Sequence, residues 1–502
     1  MTFYELMSGA GLECPRELWQ REVSAIVTDS RKATKDCIFV CLRGSRYDGH
    51  DHIEQAIEAG AAVIVAEKVR GVREGGAALT FVNNTRLCAS LLYNEWFGRP
   101  SDDLTIIGVT GTNGKTSVTN MLYSIFDDAG YPCALIGTLG IYSREKRMDG
   151  GALSVSNMTT PDPERLYGAL AQMRQDGVRY VFMEVSSHAL VQCRTDAIEF
   201  DSAVFTNLSE EHLDLHGDME SYYRAKEKLF LQSRRSVVNI DDAAGRRLFH
   251  SLEGENAINI SCSRSDGDFC AFGEEYSERD GIKYLLKSPD GEYRVSLPNF
   301  CGEFQIMNSL EAAAVAMSYG ISPMGILSSF EKMSGVKGRM ERVVAHRNQK
   351  IDIFIDYAHT PDALERVLFS AKALKRDAKS KIVLLFGCGG ERDRGKRRTM
   401  GQIASRLSDL VVVTSDNSRG EDPSGIIGEI LGGIDKEKPY AVIPDRKDAI
   451  ERAVCEYTNE GDLLLLAGKG HECYEIDRGG VHPFDEREIL RDALKRLYDN
   501  DL

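Results

Sequence analysis

The chain has no Cys-x-x-Cys pair and no Cys/His grouping at zinc-finger spacing, although twelve cysteines are scattered from Cys14 to Cys473. Neither a disulfide framework nor a structural zinc site is indicated, and reduced thiols held mostly in the core are expected. No uninterrupted apolar run is long enough to cross a bilayer. The opening residues "MTFYELMSGAGLECPRELWQ" lack the basic start and apolar stretch of a signal peptide, so a cytoplasmic protein without a membrane partner is expected. Basic residues are in deficit, with 62 Lys and Arg against 77 Asp and Glu and a formal charge of −15. That balance argues against a nucleic-acid partner, whose affinity comes from clustered cations, and obliges any anionic substrate to find local basic residues. Internal repeats and low-complexity tracts are also missing.

What is present is length and regular patterning. At 502 residues, about 150 residues per domain gives roughly three domains. The first, 1–100, reads strand "SAIVT", strand "CIFVCL", helix "HDHIEQAIEAGA" and strand "AVIVAE", and closes near "NEWFGRPSDD", a polar stretch that suits a linker. A second α/β block, 101–332, starts at "LTIIGV" and ends in a helical "NSLEAAAVAMSYG". The third, 333–502, alternates strand-like "IDIFID", "KIVLLFG", "DLVVVT", "YAVIP" and "DLLLLAG" with helical patterns such as "PDALERVLFSAKAL" and "DAIERAVCEY". Alternation of this kind predicts a parallel, doubly wound sheet with ligands at the carboxyl ends of its strands. The loops "YAHTPD", "CGGERDRGKR", "SDNSR" and "GKGHE" then share one rim.

The strongest chemical motif is "LTIIGVTGTNGKTSVTNMLYSIF". An apolar strand runs into Gly111, Thr112, Asn113, Gly114, Lys115, Thr116 and Ser117, and Val118, Met121, Leu122, Ile125 and Phe126 then recur at helical spacing. A helix N-terminus offers free N–H groups to phosphate, with Lys115 for the terminal phosphates and Thr116 for Mg2+. The strict Walker pattern is broken, because Val109 stands where its first glycine belongs. Glu184 ends the apolar run "VRYVFMEVSSHAL"; it either serves Mg2+ or is a hydrogen-bonded residue at a sheet edge. In "TNLSEEHLDLHGDMESYYRAKEKLF", His212 and His216 lie among carboxylates that can build a Mg2+ or Mn2+ site or be structural. By residue type, Lys226 in the following helix is a solvated lysine. "TSDNSRG" by itself is a turn.

"GTNGKTS", "TTPDPE", "EVSSHAL", "TNLSEEHLDLHGDM", "YYRAKEKLF", "GRME", "DYAHTPD", "GCGGERDRGKR" and "GKGHE", in that order, resemble the Mur ligases of peptidoglycan synthesis, nearest to the branch that adds diaminopimelate. The resemblance spans almost the whole chain. It implies an α/β, three-domain Mur ligase architecture: an N-terminal UDP-binding domain, a central P-loop ATPase domain and a C-terminal Rossmann-like domain for the incoming amino acid. The implied substrates are ATP, UDP-MurNAc-L-Ala-D-Glu and meso-diaminopimelate, with Mg2+ as cofactor and a monomer as the working form.

Residue by residue, the resemblance assigns Thr28, Ser30, Ser45, Arg46 and Tyr47 to the uridine diphosphate, and Thr159, Thr160, Ser186, Gln192 and Arg194 to the sugar and peptide. It assigns Gly111 to Ser117, Asn308, Arg339, Asp356, Tyr357 and His359 to ATP. Thr116, Glu184 and His212 would hold Mg2+ together with Lys226, which the family carries as a CO2-derived carbamate (N6-carboxylysine). That modification turns a repelling ammonium into an oxygen ligand for a hard cation. Lys115, Arg339, Glu184, His212 and Lys226 form the implied catalytic set. Arg392, Asp416, Asn417, Ser418, Arg419, Gly468 and Glu472 are implied for diaminopimelate. Here the family's usual Asp-Asn-Pro-Arg reads Asp-Asn-Ser-Arg, and losing the proline's fixed φ is expected to loosen the loop. An L-lysine-adding enzyme, a folylpolyglutamate synthase and a P-loop ATPase without ligation are the rival readings.

Overall fold

The computed structural model describes residues 1–44, 47–68, 76–144, 146–148, 158–254, 258–277 and 281–499. Among them, three main sheets follow one another along the chain. The first is four-stranded and parallel, in the order Ile26–Val27, Ile38–Val40, Val63–Ala66, Ala78–Phe81. Its middle strands are buried throughout, as a sheet covered on both faces requires.

The second sheet has eleven strands, and Thr105–Thr110 lies near its centre between Ser202–Phe205 and Tyr180–Glu184, both parallel to it. The helix Lys115–Asp128 leaves the end of that central strand, burying Val118, Met121, Leu122, Ile125 and Phe126. Far from the central strand, Phe269–Ser277, Gly281–Ser288 and Gly291–Leu297 form an antiparallel meander.

The third sheet runs Glu341–Val343, Asp352–Asp356, Leu463–Ala467, Ile382–Phe386, Leu410–Val413, Tyr440–Val442, with only its first strand antiparallel. The expected doubly wound order is there, and the four polar loops emerge from the carboxyl ends of four adjacent parallel strands.

Two expectations change. The stretch "NEWFGRPSDD" is not a free linker: it ends the helix Thr85–Trp96 and continues into the short helix Pro100–Asp103. Asn94 and Ser101 are buried there, joined at 3.0 Å. "DAIERAVCEY" is α-helical only to Arg452 and passes into a π-turn over Ala453–Tyr457. All twelve cysteines are unpaired, and nine of them are buried.

The helix Phe304–Ser318 holds one anomaly. Glu311 is fully buried, and neither carboxyl oxygen has a hydrogen-bond partner among the described residues. Burial, with Asp242 nearby, lifts its carboxyl well above the ordinary range, so folding favours its neutral form. Because the folded pKa is raised, the unfolded chain ionises first. Stability is therefore lost as pH climbs above the ordinary carboxylate range, by about 1.4 kcal/mol per pH unit until the folded group also titrates. Glu311→Gln raises the melting temperature more at pH 8 than at pH 5; an equal change at both would contradict this.

Candidate active site

The phosphate loop is shaped by two glycines at positive φ. A Cβ on Gly111 (φ 147°) would lie 1.9 Å from Thr206 Oγ1, and one on Gly114 (φ 90°) 2.6 Å from Asn308 Oδ1. Val109 has no such duty. It is a buried member of the strand, which continues through Thr110, so the loop begins only at Gly111. Lys115 Nζ folds back on the carbonyls of Gly111 and Thr112 at 2.8 and 2.9 Å. Thr112 and Ser117 are buried beside it, and Asn113 donates its backbone N–H to Asn207.

Glu184 is 0% exposed. Its carboxylate accepts from Thr116 Oγ1 (3.0 Å), Thr138 N (2.8 Å) and Thr138 Oγ1 (3.0 Å), and a Cβ on Gly137 would fall 2.3 Å from it. The peptide-side residues gather next to it. Thr138 donates to Thr159 at 3.2 Å, Thr160 donates to the Glu184 carbonyl at 2.8 Å, and Ser186 N–H donates to Thr160 Oγ1 at 3.0 Å. Arg194 donates to Thr160 O and to Gln192 Oε1, both at 2.6 Å. Thr159, Thr160, Ser186, Gln192 and Arg194 are thus one cluster at one strand end.

Lys226 is 1% exposed, which overturns the solvated reading. Its Nζ lies 4.5 Å from the Tyr222 ring centroid, and Tyr222 Oη reaches Thr112 Oγ1 of the phosphate loop at 3.2 Å. Burial, then the charge of Lys115, pulls the amine well below the usual lysine range. An uncharged amine is the form that adds CO2. His212, at φ 57°, sits 3.6 Å from Glu211, its ring edge-on to His188, while His216 stacks on Tyr222.

The third sheet closes the site. Arg339 Nη2 donates to Thr116 Oγ1 at 2.9 Å, its guanidinium lies 5.0 Å from the Tyr357 ring centroid, and its buried Nε has no hydrogen-bond partner among the described residues. An orphaned cationic donor beside a phosphate loop fits an anionic oxygen. Asp362 joins in, accepting from Asn113 Nδ2 and Ser209 Oγ at 3.0 Å each. His359 approaches Glu211 at 3.7 Å. Asp356 accepts from Met340 N–H and Ala358 N–H at 2.7 Å, and burial raises its carboxyl to about 6. Asn308 is held by Gln305 at 2.9 Å.

For a divalent cation, Glu184 and Thr116 supply two converging hard oxygens. No group of three His, Cys, Asp or Glu at metal spacing exists among the described residues. Such a donor set fits Mg2+, which binds through one or two carboxylates with phosphates and water completing its shell.

From Arg339 the contacts run on to the rim of the third sheet. Tyr357 meets His471 with ring centroids 4.9 Å apart, and Glu472 follows. Asn417 Nδ2 donates to Glu472 Oε2 at 2.7 Å, and its Oδ1 accepts from Lys469 Nζ at 2.9 Å and Ile476 N at 3.0 Å. Burial, with Asp416 beside it, raises the Glu472 carboxyl to about 7. A Cβ on Gly468 would lie 2.6 Å from Asp416 Oδ2. Ser418 is buried rather than loose, its carbonyl accepting from Glu421 N at 3.0 Å and pressed against Gly390. Arg419, at φ 52°, spends Nη1 on the carbonyls of Gly390 and Asn417. Arg392 is exposed on the same rim.

On the first sheet, Ser30 donates to Gln55 at 2.8 Å and lies 3.3 Å from Tyr47, whose ring stacks on His52 at 4.2 Å; Thr28 is half-buried nearby in sequence. Ser45 and Arg46 lie outside the described residues.

Three family models match in order: "Mur ligase family, catalytic domain" over 22–84, "Mur ligase middle domain" over 109–316 and "Mur ligase, glutamate ligase domain" over 338–470. A protein of Clostridioides difficile (strain 630) named UDP-N-acetylmuramoyl-L-alanyl-D-glutamate--2,6-diaminopimelate ligase is 38% identical over 482 residues, 95% of this chain and 96% of its own. The chain belongs to the Mur ligase family. An Ectopseudomonas mendocina (strain ymp) protein of the same name is 40% identical over 478 residues, covering 94% and 95%. A solved structure of a ligase so named superposes with a TM-score of 0.69 at 30% identity, over 99% of both chains. Like other Mur ligases, this one is an ATP-dependent, amide-bond-forming enzyme.

Several residues of the site escaped sequence reasoning. Glu211, Tyr222, Asp362 and Lys469 lie inside "TNLSEEHLDLHGDM", "YYRAKEKLF", "DYAHTPD" and "GKGHE", but composition does not say which of several polar neighbours turns inward. Thr138 carried no signal at all.

Proposed function

We propose that this Mur ligase joins meso-diaminopimelate to the D-glutamate side-chain carboxylate of UDP-MurNAc-L-Ala-D-Glu at the expense of ATP. The observation that carries the reading is the crossing of Arg339 from the third sheet to Thr116, next to Glu184. It ties the third unit to the phosphate loop, and ring contacts lead from Arg339 through Tyr357 to His471, beside Glu472 on the rim, which supports a shared site.

The substrate carboxylate attacks the γ-phosphorus and the bond to ADP breaks, giving an acyl phosphate. The amine nitrogen then attacks the acyl carbon, loses a proton, and phosphate leaves. Carboxylate and triphosphate repel, so Lys115 and Arg339 offset the charge as it shifts, while the loop N–H groups align the phosphates. Mg2+, held by Thr116, Glu184, His212 and a carbamylated Lys226, would supply further charge neutralisation. Gly111 to Ser117, Asn308, Asp356, Tyr357 and His359 bind the nucleotide. Thr159, Thr160, Ser186, Gln192 and Arg194 hold the sugar and peptide, and Thr28, Ser30, Ser45, Arg46 and Tyr47 the uridine end. The units are 1–100, 101–332 and 333–502, working as a cytoplasmic monomer; among the described residues no helix is long and apolar enough to cross a membrane.

Steady phosphate release is expected only with ATP, the UDP-linked dipeptide and the amino acid together. Release that ignores the amino acid would favour an ATPase without ligation.

A further inference from the structure

Arg446 and Glu486 have side chains that are both 0% exposed, and neither is needed by any contact assigned above. Arg446 opens the helix Arg446–Arg452, and Glu486 opens Glu486–Asp499. The guanidinium donates Nε to Glu486 at 2.8 Å, Nη1 to the Ser415 carbonyl at 3.1 Å and Nη2 to the Ala467 carbonyl at 3.0 Å. A buried ion pair is weak evidence for stability, because an apolar pair of similar volume is often as stable. What the pair reaches is more informative.

Ser415 and Ala467 immediately precede Asp416 and Gly468, the first assigned residues of the two acceptor loops. Ala467 ends the strand Leu463–Ala467 and Ser415 follows Leu410–Val413, and these strands are not neighbours, since Ile382–Phe386 lies between them. No backbone ladder joins these two ends directly, whereas the planar fork of an arginine spans them in one fixed geometry. The tolerance is small: Asp416 Oδ2 would lie only 2.6 Å from a Cβ on Gly468.

We propose that Arg446, braced by Glu486, is a positioning residue that sets the separation of the two acceptor loops and so governs amino-acid binding without touching the amino acid. This rests on the reading of those loops as the acceptor site. Arg446→Lys keeps the charge but gathers its three donors on one nitrogen, so it cannot span the partners that Nε, Nη1 and Nη2 reach separately. Glu486→Gln keeps the bond to Nε and removes the anion, giving a second, milder variant.

The test measures amide hydrogen exchange in 415–420 and 468–473, with Michaelis constants for ATP and for meso-diaminopimelate, in the full-length chain. Arg446→Lys is expected to speed exchange in both loops and raise the acceptor constant about tenfold, with the ATP constant within about twofold. Glu486→Gln shifts the same quantities less. Unchanged exchange in both variants overturns the staple. Faster exchange with an unchanged acceptor constant overturns its link to acceptor binding, and steady ligation there would place the acceptor elsewhere.

Discussion

Replacing Lys226 by alanine lowers turnover by at least about 10²- to 10³-fold, the loss typical of removing one electrostatic donor from a preorganised site. Added bicarbonate does not restore it, because no amine remains to take up CO2. The variant should fold, since alanine is the best helix former and the lost amine was a costly group to bury. The expectation follows from position. Lys226 is shut in between Tyr222 and the field of Lys115, where an ammonium is disfavoured. As a carbamate it would carry the opposite charge, matching Lys115 and offering an oxygen ligand to a cation. Near-normal turnover by Lys226→Ala would remove the carbamate from the mechanism.

Arg419→Ala is expected to weaken diaminopimelate binding by about 10²-fold, within the range for truncating one partner of a buried charged pair. Arg419 occupies a left-handed backbone conformation that a non-glycine residue adopts at a cost, and such strain concentrates at functional sites. Its N–H donates to Ile476 O at 3.0 Å, and Nη1 is fixed by two carbonyls. The rest of the planar fork suits a carboxylate, and diaminopimelate has a second amino-acid head that lysine lacks. Arg419→Lys should not recover the affinity, because an ammonium offers no fork. Competition between diaminopimelate and lysine, read by product mass, should show the preference narrowing in both variants. An unchanged preference would move the specificity away from this loop.

The third sheet and the phosphate loop were legible because their signals are local. Alternating strands and helices, and Gly-Lys-Thr between an apolar strand and an amphipathic helix, describe themselves within about 20 residues. Lys226 was not legible from its neighbours. Its helix has the polar residues of a surface helix, and the inward turn of the lysine toward Tyr222, which reaches the phosphate loop, depends on contacts distant in sequence. Arg446 is similar: charge predicts exposure, and the partners Ser415, Ala467 and Glu486 are distant in sequence. The loop around Ser418 shows the opposite case. Losing a proline predicted looseness, yet Glu421 restrains the turn from within and Gly390, donating to Asn417 O at 2.9 Å, restrains it from the neighbouring loop.

The most direct measurement offers the purified chain ATP, Mg2+ and UDP-MurNAc-L-Ala-D-Glu with a panel of diamino acids, and identifies the product by mass. The predicted result is a single adduct of meso-diaminopimelate, formed with stoichiometric release of phosphate. A lysine adduct as the main product, or phosphate release without any adduct, would contradict it.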